Sequence, residues 1–216
     1  MISIDFHTHT SASKDSITSP ERLIATCHSK KLDRLVVTDH NTIAGALAAH
    51  ALDPERIIVG DEIMTSHGEI LAAFVTEAFP RGLSPQETIR RLREQDSFIS
   101  VSHPFDSWRS GAWKLKDLLE IASLVDAIEI FNARCLFAED NRQAQEFART
   151  HDLPGTAGSD AHAAFELGRA MLELPQFSGP NELRQLIRQG KVLGRLSPFW
   201  VHLTSQYARH RKKVGV

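Results

Sequence analysis

The residues best suited to chemistry here are histidines and carboxylates gathered in short runs. Asp5-Phe6-His7-Thr8-His9 comes first. Side chains two apart on an extended segment point the same way, so His7 and His9 present two imidazoles to one side. Thr38-Asp39-His40-Asn41, Gly60-Asp61-Glu62, Ser102-His103-Pro104 and Gly158-Ser159-Asp160-Ala161-His162 follow. Asp160 and His162 repeat the spacing of the first pair. Imidazole is the commonest protein ligand for metal ions, and carboxylates complete such sets. One His-x-His could be a pair of surface histidines at a strand end. Five such segments along one chain point to a divalent-cation site.

These segments carry chemistry together only if the elements before them converge. Short apolar, β-branched runs precede them: Ile2 to Phe6, Arg34 to Thr38, Ile57 to Ile63, Phe98 to Ser102 and Thr156 to Ser159. Glu69 to Val75 reads as the second arm of a hairpin after Ile57 to Ile63. Asp126 to Phe131, Arg169 to Leu174 and Lys191 to Arg195 complete the strands. Helical stretches lie between them. Thr18 with Glu21, and Ser84 with Glu87, form capping boxes that open two of these helices, and Pro20 suits a first turn. Leu115 to Leu124, Ala138 to His151 and Pro180 to Gln189 are further helices, with Gly190 placed as a stop. Strand–helix alternation predicts a parallel sheet or barrel. The chain has 216 residues, short of the roughly 250 of a full eight-unit barrel, so a reduced barrel of about seven units is expected. In such a barrel the C-terminal ends of the strands share one rim. That rim would receive His7, His9, His40, Glu62, His103, Asp160 and His162.

Composition excludes other classes. Lys and Arg number 25 against 27 Asp and Glu, so no strongly basic surface advertises a long nucleic acid. Two distant cysteines, Cys27 and Cys135, argue against a disulfide framework and a thiolate zinc finger. No apolar run reaches membrane-spanning length, and MISIDFHTHTS lacks the basic and apolar regions of a signal peptide. The expectation is a cytoplasmic protein of one domain, residues 1–216, with a helical tail over about 199–216. Of eleven histidines, His28, His50, His151, His202 and His210 fall in helices or the tail and read as incidental. His67, in the hairpin turn near Glu62, is the sixth outside the set. The tail from Arg209 to Lys213 reads as a solvated end.

The segments DFHTHT, VVTDHNT, GDEI, SHPF and GSDAH resemble, in order, the motifs of the PHP (polymerase and histidinol phosphatase) family of metal-dependent phosphoesterases. The resemblance implies a distorted (β/α)7 TIM-like barrel of the α/β class, with two or three divalent metal ions (Mn, Fe or Zn) at the C-terminal ends of the strands. It assigns His7, His9, Glu62 and Asp160 to one metal. Glu62 then bridges to a second, also held by His103, with Glu129 or Asn132 as helpers. Asp15, His40 and His162 match a third site. Lys14-Asp15-Ser16-Ile17-Thr18-Ser19-Pro20 keeps the family's Asp-to-Pro spacing there but lacks its glycine. Five imidazoles and three carboxylates suit borderline divalent ions. Two such ions about 3.5–4 Å apart can hold a hydroxide and clamp a phosphoryl group for in-line attack, with Glu62 and Asp160 as the catalytic carboxylates. Asp5 and Asp39 read as supports behind the ligands.

A phosphate calls for arginine forks. Arg134, Arg169 and Arg109 are the candidates, with Asn132 as a polar contact or weak ligand. Trp108, Trp113 and Phe105 could stack on a ring or pack on the barrel rim. The expected substrate is a small phosphate ester: a phosphomonoester, a nucleotide or a short oligonucleotide. Two other readings compete. An amidohydrolase also opens with His-x-His on a barrel strand, but it would need a bridging lysine at a mid-barrel strand end. A non-catalytic metal-binding regulatory module would need no intact ligand set.

Overall fold

The computed structural model describes residues 1–214. Along the chain the strands are β1 (Ile2–Thr8), β2 (Arg34–Val37), β3 (Ile57–Met64), β4 (Glu69–Ala73), β5 (Phe98–Val101), β6 (Ala127–Asn132), β7 (Gly155–Gly158), β8 (Ala170–Leu174) and β9 (Lys191–Gly194). The helices are α1 (Pro20–Lys30), α2 (Ala44–Leu52), α3 (Pro85–Glu94), α4 (Leu115–Ile121), α5 (Ala138–Thr150), α6 (Pro180–Leu186) and α7 (Val201–Lys213). Local signals explain several boundaries. Ser84 caps α3 by accepting from Glu87 N. For α1 the cap is Ser19, one residue later than Thr18, because Pro20 takes the first helical position. Thr18 is instead buried, and its carbonyl accepts from Ser11 N at 2.7 Å.

Strands β1 to β7 form a nearly closed barrel. β1, β2 and β3 pair in parallel, and so do β5, β6 and β7. β4 runs antiparallel to both of its neighbours, β3 and β5. The regular strand–helix repeat is therefore interrupted once, at the β3–β4 hairpin. β7 is too short to pair along all of β1. The two strands meet only at their C-terminal ends, where Asp160 N donates to His7 O at 2.7 Å and His9 N to Ala161 O at 2.9 Å. At the other end of β1, β8 pairs antiparallel with it, and β9 extends that ribbon.

The seam depends on two buried groups. Asp5 accepts from Ser159 N at 2.8 Å, Ser159 Oγ at 2.5 Å and Gly168 N at 3.0 Å. It thus ties β1 to both ends of the β7–β8 connection. Gly158 lets the backbones approach, since a Cβ there would lie 2.3 Å from His7 Cβ.

Apolar residues fill the lower barrel and both flanks. Ile4, Phe6, Val36, Phe98, Ala127 and Ala157 belong to one cluster, with the Phe6 and Phe98 ring centroids 6.1 Å apart. Ile89, Leu92, Leu118, Ile121 and Phe147 pack α3, α4 and α5 onto the sheet, and Leu23, Cys27, Ala46 and Ala49 do the same for α1 and α2. Cys27 and Cys135 are free and buried, and burial pushes the Cys27 thiol up to about 12. No helix among the described residues is long and apolar enough to cross a membrane.

Because the seam is closed by backbone contact at Gly158, Gly158→Ala should lower stability by roughly 1–3 kcal/mol through overpacking. Urea unfolding measures this, and an unchanged midpoint would contradict the seam as described.

Candidate metal centre

Five of the seven barrel strands bring a donor to the rim at or near their C-terminal ends. His7 closes β1 and His9 follows it. His40 follows β2, Glu62 lies in β3, His103 follows β5, and Asp160 and His162 follow β7. His7 Nε2 and His9 Nε2 face each other at 3.1 Å. Glu62 Oε1 is 3.3 Å from His7 Nε2, and Glu62 Oε2 is 3.5 Å from His9 Nε2. Asp160 Oδ1 is 3.6 Å and 3.3 Å from the same two nitrogens. On the far side of Glu62, His103 Nε2 lies 3.0 Å from Oε1 and His40 Nδ1 lies 2.9 Å from Oε2. His40 Nε2 and His162 Nε2 each lie 3.5 Å from Asp15 Oδ1. All of these side chains are buried except His40, which is partly so.

The surroundings aim the donors inward. His7 Nδ1 donates to Glu129 Oε1 at 3.1 Å, His9 Nδ1 to Ser13 Oγ at 3.2 Å, and His162 Nδ1 to Asp160 O at 2.8 Å. An Nδ1–H fixed on an acceptor leaves the Nε2 lone pair for a cation. Asp39 works on His9 through Ser13, whose Oγ donates to Asp39 Oδ1 at 2.6 Å. Ser102 Oγ donates to Glu62 Oε1 at 2.7 Å. Asn132 Nδ2 spans Glu129 Oε2 and Asp160 Oδ2 at 3.1 and 3.2 Å. Asn132 and Glu129 therefore steady other donors. Asp160 and Asn41 adopt φ of 52° and 56°, a left-handed conformation Asp and Asn tolerate better than most residues. In that conformation Asp160 N still reaches His7 O while its own carbonyl accepts from His162. Asp15 Oδ1 and Asp160 Oδ1 are buried without a hydrogen-bond partner, the first beside two imidazole nitrogens and the second among three. Orphaned anionic oxygens among imidazoles are the donor set a divalent cation needs, so the residues fit such ions.

One ligand-range carboxylate was not among the expected residues. Glu69 Oε1 lies 3.9 Å from His40 Nδ1, and Glu69 Oε2 lies 3.5 Å from His103 Nε2. His40, Glu62 and Glu69 together form a cation-competent triad, as do His7, His9 and Glu62, and His9, His40 and His162. A search at strand C-terminal ends misses Glu69 because β4 is antiparallel, so its first residue lies on the rim. The usable signal was the hairpin itself, which returns Glu69 beside Met64.

Above the cage lies a cavity of about 650 Å³ lined by Lys14, Arg81, Arg109, Arg134 and Arg209 among others. Arg109 Nη2 pairs with Asp160 Oδ2 at 2.6 Å. Arg134 is buried, and its Nη2 donates to Ser205 Oγ at 2.8 Å while Nη1 pairs with Glu166 Oε2 at 3.4 Å. Arg169 does not reach the cavity. Its Nη2 instead donates to Leu196 O at 2.7 Å. Asp5 likewise serves the seam and touches no ring. Trp108 is 73% exposed and lines the cavity. Trp113 is buried with Nε1 donating to Glu69 O, and Phe105 packs on the core with Phe147. The tail is not a free end: α7 folds back so that His202 and Arg209 line the cavity, and Arg209 meets Asp15.

Charge inside the cage is strongly coupled. Burial opposes protonation of His7, yet Glu62, Asp160 and Glu129 override it and hold the imidazolium well above the usual histidine range. Burial opposes the charge on His40 too, and Glu62 and Asp15 likewise override it. His162 goes the other way, down to about 3, through burial and the nearby Arg134 and His9. A cation binding this cage must displace protons from His7 and His40. Adding Mn²⁺ to chelator-treated protein at pH 7 in weak buffer should therefore release protons. Apparent affinity should rise with pH through and beyond the ordinary histidine range. A pH-independent affinity would contradict the charge assignment.

The PHP domain family matches residues 5–88, and the PHP-associated family matches residues 138–192. An uncharacterized protein of Methanocaldococcus jannaschii is 33% identical over 195 residues, covering 86% of this chain and 78% of its own. PsfC from Pseudomonas syringae has a similar structure, with TM-score 0.70, 18% identity and 98% of each chain covered. A two-domain protein from Bacteroides vulgatus, described as containing a predicted PHP-like metal-dependent phosphoesterase, superposes with TM-score 0.72 and 16% identity. That match covers 96% of this chain and 69% of the other. The motifs, the barrel that gathers them and the relative aligned over most of both chains agree, and this chain belongs to the PHP domain family.

Proposed function

We propose that this chain is a metal-dependent hydrolase acting on a small phosphate ester. The carrying observation is the juxtaposition of a buried imidazole–carboxylate cage with a cavity walled by five Lys and Arg side chains. The cage suits cations and the walls suit an anion, and a phosphate ester needs both. His7, His9, Glu62 and Asp160 would hold one ion, Glu62, His103 and Glu69 a second, and Asp15, His40 and His162 a third. Mn²⁺, Fe²⁺ and Zn²⁺ match this oxygen and nitrogen set. Such ions, when bound, supply an ionised nucleophile near neutral pH and offset charge on the phosphoryl oxygens.

The chain's own groups do the remaining work. Glu62 lies between two ligand sets and would fix their separation. Arg109 holds Asp160 ionised: burial opposes the charge, but the guanidinium and His7 outweigh it. Arg134, which lines the cavity and pairs with Glu166 at 3.4 Å, adds a fixed positive charge beside a phosphate. Trp108 and Phe199, both strongly exposed at the cavity, offer flat faces for the rest of the substrate. A cavity with separate cations favours a monoester, nucleotide or short oligonucleotide over a long polymer, which would need a continuous basic track. Two buried free thiols suit a reducing, cytoplasmic setting. An amidohydrolase-type reading finds less support, since Glu62 stands between the two ligand sets where that reading would need a bridging lysine.

A panel of phosphomonoesters, nucleotides and short oligonucleotides, with lactones and amides as controls, tests this on metal-reconstituted protein. Phosphate esters should turn over. His9→Ala and Asp160→Ala should each abolish turnover and reduce bound metal. Preferential cleavage of lactones or amides, or full activity in either variant, would overturn the assignment.

A further inference from the structure

Asp15 sits in the loop between β1 and α1, away from any strand end, yet it is only 2% exposed. Its two oxygens have different tasks. Oδ1 faces His40 and His162 with no hydrogen-bond partner. Oδ2 turns away and accepts from Arg209 Nη2 at 2.8 Å and Nε at 3.3 Å. Arg209 comes from α7, at the other end of the chain. One turn later Lys212 Nζ donates to Ser11 O at 2.6 Å and to Ser13 O. At the start of the helix, Arg134 donates to Val201 O and Ser205 Oγ. The helix is thus fastened to the barrel at one end and to the Asp15 loop at the other.

The same device recurs across the cage. Asp160 Oδ2 accepts from Arg109 and Asn132, while Oδ1 is left without a hydrogen bond among His7, His9 and His162. In both places a guanidinium occupies the outer oxygen and the inner one faces imidazoles, two at Asp15 and three at Asp160. Both arginines lie outside the residues matched by the two PHP families.

We propose that Arg209 is a positioning residue for a cation subsite made by Asp15, His40 and His162, so that docking of α7 and occupancy of that subsite reinforce each other. The proposal rests on reading the cage as a metal centre. A carboxylate with both oxygens free can rotate away or engage a neighbouring imidazolium. Pinning one oxygen leaves a single donor in a set direction. The guanidinium also repels a nearby cation, but it lies on the far oxygen and is half exposed, where solvent screens the charge. Positioning acts at contact and outweighs that repulsion. Loss of such an outer partner typically weakens metal binding about 10–100-fold. Binding coupling is reciprocal, so a cation in the subsite should also hold α7 in place.

The test uses full-length protein, stripped with chelator and titrated with Mn²⁺. Ions per chain and amide exchange across Val201–Lys213 are both read. Wild type should bind a weakest equivalent that Asp15→Asn abolishes. Arg209→Ala should weaken that equivalent about 10–100-fold and spare the tighter ones, which also shows that the barrel is folded. Arg209→Lys should restore most of it. Mn²⁺ should slow exchange in α7 of the wild type but not of Arg209→Ala. If Arg209→Ala binds that equivalent as the wild type does, or α7 exchange ignores Mn²⁺, the role of Arg209 is refuted while the metal centre stands. If the wild type retains no Mn²⁺, the metal centre itself fails and the proposal with it.

Discussion

The seam between β1 and β7 organises the rest of the molecule. Two backbone hydrogen bonds, from Asp160 N to His7 O and from His9 N to Ala161 O, join the first strand to residues more than 150 positions away. They place the His-x-His and Asp-x-His segments side by side. Buried Asp5 and Gly158 hold the seam from below. Opening it would separate the ligand pairs without changing any ligand. The closure that stabilises the barrel is therefore also what assembles the chemistry.

That assembly concentrates charge where water is excluded. Isolated buried ions are severely destabilising, and even paired ones offset their desolvation only with good geometry. The cage meets this constraint by alternation. Each carboxylate is bracketed by imidazoles, and each imidazole with a fixed tautomer has an outer acceptor. Arg109 and Arg209 close the arrangement at its two ends. The bare oxygens of Asp15 and Asp160 are the positions this network leaves to a divalent ion.

Two local irregularities refine the aim. β1 gains one residue relative to β2 between Asp5 and Thr8, and β6 gains one relative to β7 between Glu129 and Phe131. Bulges of this kind re-aim side chains next to functional sites. The first lets Phe6 pack in the core while His7 still turns onto the rim. The second lies between Glu129 and Asn132, the residues that steady His7 and Asp160. Periodicity alone would have put Asp5 beside His7 and His9, but in the structure it serves the seam.

The strands, most helices and the gathering of candidate donors at parallel strand ends were legible in the order of residues. Hydrophobic periodicity and helix caps act over a few neighbours, and two-residue spacing pairs the imidazoles locally. Glu69 was hidden because strand direction, a property of the sheet, decides which end of β4 meets the rim. Arg169 read as a phosphate contact, but its guanidinium is taken up by Leu196 O, a partner far along the chain, and does not line the cavity. The basic tail read as solvated, because nothing near Arg209 in the chain reveals that Asp15 awaits it. Short-range physics is written in the sequence itself. Which distant groups share a buried space, and so which charges must balance, was decided only when the barrel closed and α7 folded across it.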